Sequence, residues 1–212
     1  MFLKALKPIS AALLLALSGL ASAVTQAESG DAGFLPGSAQ ALPSGVTGVT
    51  GTNSTTDVDM FGFSWGGGAL TLDAASSVGG DLMLFLFDAA GLGIAANDDR
   101  DANTLNARIS FASLGAGQYF LAAGICCTQP TSATGLIFPY VFSVGQASPT
   151  GPGGGSPVTG WTATADEPGA VAYQISFSGA IRERTSVPLP TTAVLLGLGL
   201  AGLAAKRRRQ QA

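Results

Sequence analysis

The chain has 212 residues, of which 47% are hydrophobic and 11% are charged, and it contains 30 Gly, 11 Pro, 2 Cys and no His. This length suits one domain with processing segments, and the composition excludes a disordered polar protein, a collagen and a disulfide-rich scaffold. Without histidine, the chain cannot form a Ser-His-Asp triad, a histidine-ligated zinc site or an imidazole general base. A hydrolase that uses carboxylates alone would need a paired-acid motif, and none is visible in the sequence, so we predict no catalytic residues.

Residues 1–23 have the features of a secretory signal peptide. Lys4 and Lys7 form a positive n-region, the run from Ile9 to Ala21 is mostly apolar, and Ala21-Ser22-Ala23 fits an A-x-A site cleaved after Ala23. An N-terminal membrane helix is the alternative, but the apolar run is short for a span. The segment predicts export, and an exported chain can form a disulfide.

The body of the chain alternates apolar and polar residues with a period of two, which is typical of half-buried β-strands. We predict a loose lead-in over residues 24–55 and an all-β domain over residues 56–182, an antiparallel β-sandwich or jelly roll. The run Leu82–Phe87 is apolar at every position and indicates a strand covered on both faces. The predicted strands are Val58–Ser64, Leu70–Ala74, Leu82–Phe87, Ala107–Phe111, Tyr119–Ile125, Phe138–Val144 and Val171–Phe177.

Residues 146–160 are rich in Gly, Pro and Ser, which is typical of a flexible linker or a long surface loop. The short segment beyond them cannot easily build a core of its own. We therefore predict a loop within one sandwich, with Val171–Phe177 returning to the main sheet.

Five segments of the body follow the order found in a known bacterial module. They are Asp57–Phe63, Asp81–Asp88, Asn97–Asp99, Ala107–Phe111 and Leu114–Leu121. In this order the body resembles the pre-peptidase C-terminal domain, a jelly roll found beside secreted proteases and alone in surface proteins. The resemblance implies an accessory role in binding or secretion, in some members assisted by calcium, and no catalytic residues.

Residues 97–103 form the one dense cluster of oxygen ligands in the sequence. Calcium takes six to eight oxygens, and Asp98, Asp99, Asp101 and Asn103 offer several. The segment lacks the glycine and terminal glutamate of an EF-hand. A solvated turn, in which Asp and Asn bond their own backbone, is the alternative. Calcium is the only cofactor that the sequence suggests.

Three further features have less specific meanings. Cys126 and Cys127 are adjacent, which predicts a vicinal disulfide, an intermolecular bond or two reduced thiols. The G-x-S-x-G sequence at 62–66 matches a nucleophile elbow, but more glycines follow it instead of a helix and no histidine exists. We interpret it as a strand end. Trp65 and Trp161 are interpreted as packing residues, although exposed tryptophans can stack on sugars.

The C-terminal segment 187–209 has three parts in a fixed order. Val187, Pro188, Leu189 and Pro190 precede an apolar stretch over 191–205, predicted to be a short transmembrane helix, and a basic cluster follows it. The positive-inside rule keeps that cluster in the cytoplasm, so residues 24–190 lie outside the inner membrane. The cluster consists of Lys206, Arg207, Arg208 and Arg209.

This order resembles the PEP-CTERM sorting tail of exported Gram-negative proteins, with Leu189 in place of the usual glutamate. The resemblance implies membrane insertion, processing by an exosortase-type enzyme near Pro188–Pro190, and delivery to the cell surface or matrix. A plain C-terminal anchor is the alternative.

The body is more acidic than the formal charge of −3 for the whole chain suggests. Residues 24–190 contain four arginines, no lysine and all 13 acidic residues, which gives them a net charge of −9. This charge disfavours nucleic-acid binding. The sequence therefore predicts an exported, non-enzymatic surface or matrix protein whose partners are the export machinery, an exosortase-type enzyme and polysaccharide. The alternative is a carbohydrate- or calcium-binding accessory module beside a secreted enzyme.

Overall fold

The computed structural model describes residues 23–54, 56–77, 79–139, 144–162, 169–179 and 181–182. Within these residues the chain is all-β, as predicted, and every regular element is a strand. No helix among them is long and apolar enough to cross a membrane. The strands are β1 (Thr25–Ala27), β2 (Gln40–Ala41), β3 (Gly48–Asn53), β4 (Val58–Trp65), β5 (Gly68–Ser76), β6 (Leu82–Asp88), β7 (Gly93–Asn97), β8 (Arg108–Leu114), β9 (Gly117–Ile125), β10 (Gln129–Ser132), β11 (Gly135–Leu136), β12 (Gly160–Thr162) and β13 (Val171–Phe177).

Two five-stranded sheets form the sandwich. The first has the order β1-β3-β13-β5-β8, and the second has the order β2-β4-β9-β6-β7. The pairs within them are antiparallel except β1–β3 and β2–β4, which are parallel pairs at the edges. The predicted sandwich is confirmed, and the parallel edge pairs are an addition to it. β13 lies between β3 and β5, so the last predicted strand does return to the main sheet.

The core between the sheets is built from alternate residues of their strands. In β13, Val171, Tyr173, Ile175 and Phe177 are buried while the residues between them are exposed. From the other sheet, β4 contributes Phe61 and Phe63 to the same core. Removing such side chains from water stabilises the fold by about 1.5–3 kcal/mol for each fully buried large apolar residue.

A second core lies on the outer face of the second sheet. Because successive residues of a strand point to opposite faces, Leu82, Leu84 and Leu86 of β6 face the inner core and its other apolar residues face outward. The small sheet β11-β10-β12 covers this outer face together with aromatic rings. The ring of Phe85 lies 6.0 Å from that of Phe138 and 5.3 Å from that of Trp161. This second layer explains why β6 is apolar at every position.

The predicted strand over Phe138–Val144 differs from the structure. β11 ends at Leu136, Phe138 is buried without belonging to a strand, and Val144 is exposed outside any strand. Residues 140–143 lie outside the described residues. Phe138 lies in a loop, and its ring is buried because it packs on β6. Its apolar character is therefore explained by the outer core, and it does not indicate a strand.

The segment 24–55, expected to be a loose lead-in, contains β1, β2 and β3 in its described part. β3 pairs with β13 over six residues, from Gly48 to Asn53, and Val49 is fully buried in the inner core. Its Gly and Thr residues give no period-two pattern, and backbone pairing with a strand far along the chain holds it in place. The first sheet therefore begins before residue 56.

Residues 146–159 contain no strand and pack against the body. The amide of Ala147 donates to the carbonyl of Ala96 at 2.7 Å, and the amide of Gly151 donates to the carbonyl of Ile137 at 3.1 Å. Gly154 lies so close to the carbonyl of Pro149 that a side chain would collide with it. The Gly/Pro segment is thus a folded loop on the outer layer.

Candidate functional site

Part of the predicted calcium cluster is a turn held by its own hydrogen bonds. The amide of Asn103 donates to Oδ1 of Asp101 at 2.9 Å, and Nε of Arg100 donates to Oδ2 of the same carboxylate at 3.3 Å. These donors lower the pKa of Asp101, the backbone amide of Asn103 having the largest effect. Asp101 and Asn103 therefore match the alternative interpretation, a solvated turn in which the acid bonds local groups.

Asp98, which belongs to the other part of that cluster, lies near Asp81, a residue outside the predicted ligand set. Asp98 is only 4% exposed, and its carboxylate lies within 4.8 Å of that of Asp81. Burial, followed by the charge of Asp81, raises the pKa of Asp98 to about 7. The side chain of Asn97 donates to the carbonyl of Asp99 at 3.0 Å. The structure thus places Asp98 near Asp81, whereas Asp101 accepts the backbone amide of Asn103, and calcium binding by Asp98, Asp99, Asp101 and Asn103 stays a prediction.

A second group of carboxylates, which the sequence analysis did not predict, lies near the start of β4. Ligand oxygens of Glu28, Asp31 and Asp59 lie within 4.8 Å of one another, and we call these residues the Glu28–Asp59 cluster. Glu28 is fixed from two sides, because Oε1 accepts the amide of Ala32 at 3.0 Å and Oε2 accepts the amide of Thr52 at 3.3 Å. Three converging carboxylates are the ligand type that calcium prefers.

Asp59 connects this cluster to the opposite sheet. Its side chain has no solvent exposure, and Oδ2 accepts the hydroxyl of Tyr173 at 2.6 Å. Oδ1 is buried and has no hydrogen-bond partner. Burial raises the pKa of Asp59 to about 8, and the neighbouring Glu28 and Asp57 add to the rise while the Tyr173 hydroxyl opposes it. A buried acceptor oxygen without a donor is costly unless a proton or a cation reaches it.

Gly51 leaves the space in which these groups meet. A Cβ atom at Gly51 would collide with the hydroxyl of Tyr173 and lie 2.7 Å from Oε2 of Glu28. On the outer face of the first sheet, a shallow groove of about 640 Å³ reaches Glu28 and Tyr173, and Thr50 and Gln174 line it with polar groups. Glu28 therefore belongs both to the cluster and to the lining of the groove.

Ser64 of the G-x-S-x-G sequence lies in β4 and not at a strand-to-helix turn. Its hydroxyl accepts the side-chain amide of Gln118 at 2.6 Å, and its backbone pairs with Arg182. The chain then turns at Gly67, with φ of 90°, and enters β5 at Gly68. The interpretation of this motif as a strand end is confirmed.

Both tryptophans have packing roles. Nε1 of Trp161 donates to the carbonyl of Phe34 at 2.7 Å, and its ring lies edge-on to those of Phe85 and Phe87. Trp65 packs against the inner core. Their interpretation as packing residues is therefore confirmed.

Cys126 and Cys127 are joined by a vicinal disulfide directly after β9. The amide of Cys126 donates to the carbonyl of Asp81 at 2.9 Å. The disulfide-bonded pair is thereby attached to the backbone that carries the Asp81 carboxylate.

The two terminal segments lie almost wholly outside the described residues. Ala23 is described and exposed, and the next residue, Val24, already bonds Thr47 through its backbone amide at 2.9 Å. Cleavage after Ala23 would leave β1 intact. The described part does not include the C-terminal segment with its three predicted parts. These parts are the sorting residues Val187, Pro188, Leu189 and Pro190, the apolar stretch 191–205, and the basic cluster of Lys206, Arg207, Arg208 and Arg209.

Comparison with known proteins gives a match to one family model and matches to solved structures. The match is to the PEP-CTERM protein-sorting motif, over residues 186–209. One of the matching structures is the crystal structure of the pre-peptidase C-terminal domain of a collagenase from Bacillus anthracis, which is 11% identical, with a TM-score of 0.34, 74% of this chain covered and 97% of the other. No curated protein matches the chain.

The family match covers the three-part segment on which the sequence resemblance depended. Such a motif implies an exported protein that is anchored in the membrane until an exosortase-type enzyme processes it. Residues 186–209 of this chain match the family model of the PEP-CTERM protein-sorting motif.

Proposed function

We propose that this chain is a non-enzymatic surface or matrix protein of a Gram-negative bacterium, delivered through its C-terminal tail and associated with exopolysaccharide. The PEP-CTERM motif at 186–209 carries the proposal, because it follows a predicted signal peptide and a β-sandwich. An exosortase-type enzyme would cut near Pro188–Pro190 and release the body from its anchor.

The side chains of the body support a role without catalysis. The sequence contains no histidine, and the serine of its one hydrolase-like motif lies within a strand and bonds Gln118. The buried acid Asp59 is bonded to Tyr173, which leaves it poorly placed to transfer protons to a substrate. Nothing among the described residues combines a nucleophile, a base and an oxyanion site.

The charge of the body supports a role in a hydrated, cation-rich matrix. Residues 24–190 carry a net charge of −9. Such a surface repels anionic polymers unless divalent cations bridge the two. Association with an acidic exopolysaccharide would therefore depend on divalent cations.

The proposal is tested by following the protein through cell fractions. Wild type is compared with a chain that stops before Val187, and with a chain in which Arg207, Arg208 and Arg209 are replaced by Gln. Wild type is expected in the matrix fraction, the shortened chain in the periplasm, and the Gln variant in a misprocessed form. Equal matrix recovery of all three chains would refute a sorting role for the tail.

A second candidate function is a calcium-dependent accessory module, and the Glu28–Asp59 cluster favours it. Glu28, Asp31 and Asp59 would hold the ion, and Oδ1 of Asp59 is the buried oxygen that lacks a partner. Calcium would offset most of the negative charge of the cluster and fix the start of β4 against β13. The nearby groove, with Thr50 and Gln174, offers hydroxyl and amide groups to a sugar chain.

A glycan array run with calcium and with chelator separates the two candidates. Selective, calcium-dependent glycan binding that Glu28→Gln abolishes would support the accessory module. Binding to no glycan, together with retention in the biofilm matrix, would support the structural role and count against the module.

A further inference from the structure

The Asp81–Asp98 pair, formed by these two carboxylates, lies at the same end of the sandwich as the Glu28–Asp59 cluster but on the other side of β9. Asp81 directly precedes β6 and Asp98 directly follows β7, and these strands are antiparallel neighbours. Leu82 pairs with Ile125 at the end of β9, and Val58 pairs with the adjacent Gly124. The end of β9 therefore separates two groups of acids.

The surroundings of one carboxylate oxygen of Asp98 indicate a ligand. Its residue is 4% exposed, and Oδ1 is buried without a hydrogen-bond partner. The oxygens of Asp81 and Asp98 lie within 4.8 Å of each other. The negative charge of Asp99 adds to that of the pair. Carboxylates held this close need a positive charge between them, which is a proton or a metal ion.

The neighbouring guanidinium groups do not supply that charge to Asp98. Arg100 bonds Asp73 at 3.2 Å and Asp101 at 3.3 Å, and Arg108 bonds Asp73 at 2.7 Å. The described part of the chain shows no ion pair to Asp98.

We propose that Asp81 and Asp98 form a binding site for one hard divalent cation, of which calcium is the physiological candidate. Two carboxylates match its double charge, and oxygen is the ligand atom that such ions prefer. Sγ of Cys126 lies within 4.8 Å of both carboxylates, but it is bonded to Cys127 and provides no thiolate. The disulfide-bonded residue instead holds Asp81 in place through the hydrogen bond from its amide.

This site replaces the ligand set that the sequence suggested. The proposed ligands are Asp98 and, from a different loop, Asp81. Asp101 and Asn103 are not ligands of this site, because they bond to each other within a turn. The proposal depends neither on the destination of the protein nor on the Glu28–Asp59 cluster, so it can fail while either of those stands.

Calcium titration by calorimetry tests the proposal on the full chain in detergent, stripped of metal at pH 8. Glu28→Gln serves as the parent because it weakens the other cluster while its amide oxygen can still accept the Ala32 hydrogen bond. The parent is expected to bind one equivalent of calcium, and the added substitution Asp98→Asn to abolish it. Asp101→Asn is the matched control, because it removes the same charge three residues along the chain from Asp98 and is expected to leave one equivalent bound.

Thermal unfolding gives a second readout. In chelator, Asp98→Asn is expected to melt above its parent because a neutral amide removes the repulsion between the carboxylates, and calcium is expected to leave its melting temperature unchanged. Asp81→Asn repeats the test if the first variant does not fold. A parent that binds no calcium would show that the pair shares only a proton and would overturn the proposal. Full binding retained by Asp98→Asn and Asp81→Asn would overturn it as well.

Discussion

The hydrogen bond between Tyr173 and Asp59 connects the two sheets where both side chains are buried, and Tyr173→Phe removes it alone. The hydroxyl is the one atom deleted, and the donor–acceptor distance is 2.6 Å. Tyr173 is 4% exposed and Asp59 is fully buried, so water does not readily replace the lost donor. The substitution isolates the bond that holds Asp59 in place.

The size of the effect depends on whether Asp59 is ionised. Because the pKa of Asp59 is about 8, the carboxyl group is neutral at pH 6 and ionised at pH 9. Losing a hydrogen bond between neutral groups costs about 1 kcal/mol, and losing one to a charged group about 1.5–3 kcal/mol. We therefore expect Tyr173→Phe to lower the free energy of unfolding by about 1 kcal/mol at pH 6 and by about 2–3 kcal/mol at pH 9. For a domain of this size, each kcal/mol lowers the melting temperature by about 2–4 °C.

Urea unfolding of the metal-free protein at the two pH values measures both numbers. Tyr119→Phe is the matched control, because Tyr119 is also buried and its hydroxyl donates to a backbone carbonyl, that of Gly115, at 2.8 Å. Its cost should be the same at pH 6 and pH 9. Equal costs for Tyr173→Phe at the two pH values, or a cost below 0.5 kcal/mol at both, would refute the role assigned to the bond.

Three further predictions concern Gly51, the two buried carboxyl groups and the disulfide. Gly51→Ala should destabilise the fold by about 1–3 kcal/mol, because its Cβ would collide with groups that meet there, and urea unfolding measures this. In chelator, the free energy of unfolding should fall as the pH rises from about 4 to about 8, because folded Asp59 and Asp98 keep protons that the unfolded chain has lost. Each of the two groups can contribute up to about 1.4 kcal/mol per pH unit. A rise in the free energy of unfolding over that range would contradict the raised pKa values. Alkylation of the unfolded protein should label Cys126 and Cys127 only after reduction, and labelling before reduction would show free thiols.

The sequence was sufficient for the parts of the fold that have a local pattern. β13 alternates strictly between buried and exposed residues, and β6 is apolar throughout because it faces two cores. β3 was missed because its Gly and Thr residues give no such pattern and its position depends on pairing with β13. Phe138 was misassigned because a buried aromatic residue in a loop resembles one in a strand when only the sequence is read.

In the candidate sites too, the sequence identified what is local along the chain and missed contacts between distant segments. The sequence identified Asp98 because it lies among other acids, but its neighbour Asp81 is on a separate loop that the pairing of β6 and β7 brings close. Glu28 and Asp59 are likewise distant in the chain and meet only after β3 and β4 have entered opposite sheets. Such contacts depend on topology, so no local spacing rule could have found them. The sorting motif needed no fold, because its order of residues is its signal.

The most direct test of the account is the intact mass of the protein recovered from the extracellular matrix. We predict a chain that begins at Val24 and ends within Pro188–Pro190, with Cys126 and Cys127 disulfide-bonded. A chain that still ends at Ala212 and is confined to the membrane fraction would contradict export, sorting and release through the PEP-CTERM tail.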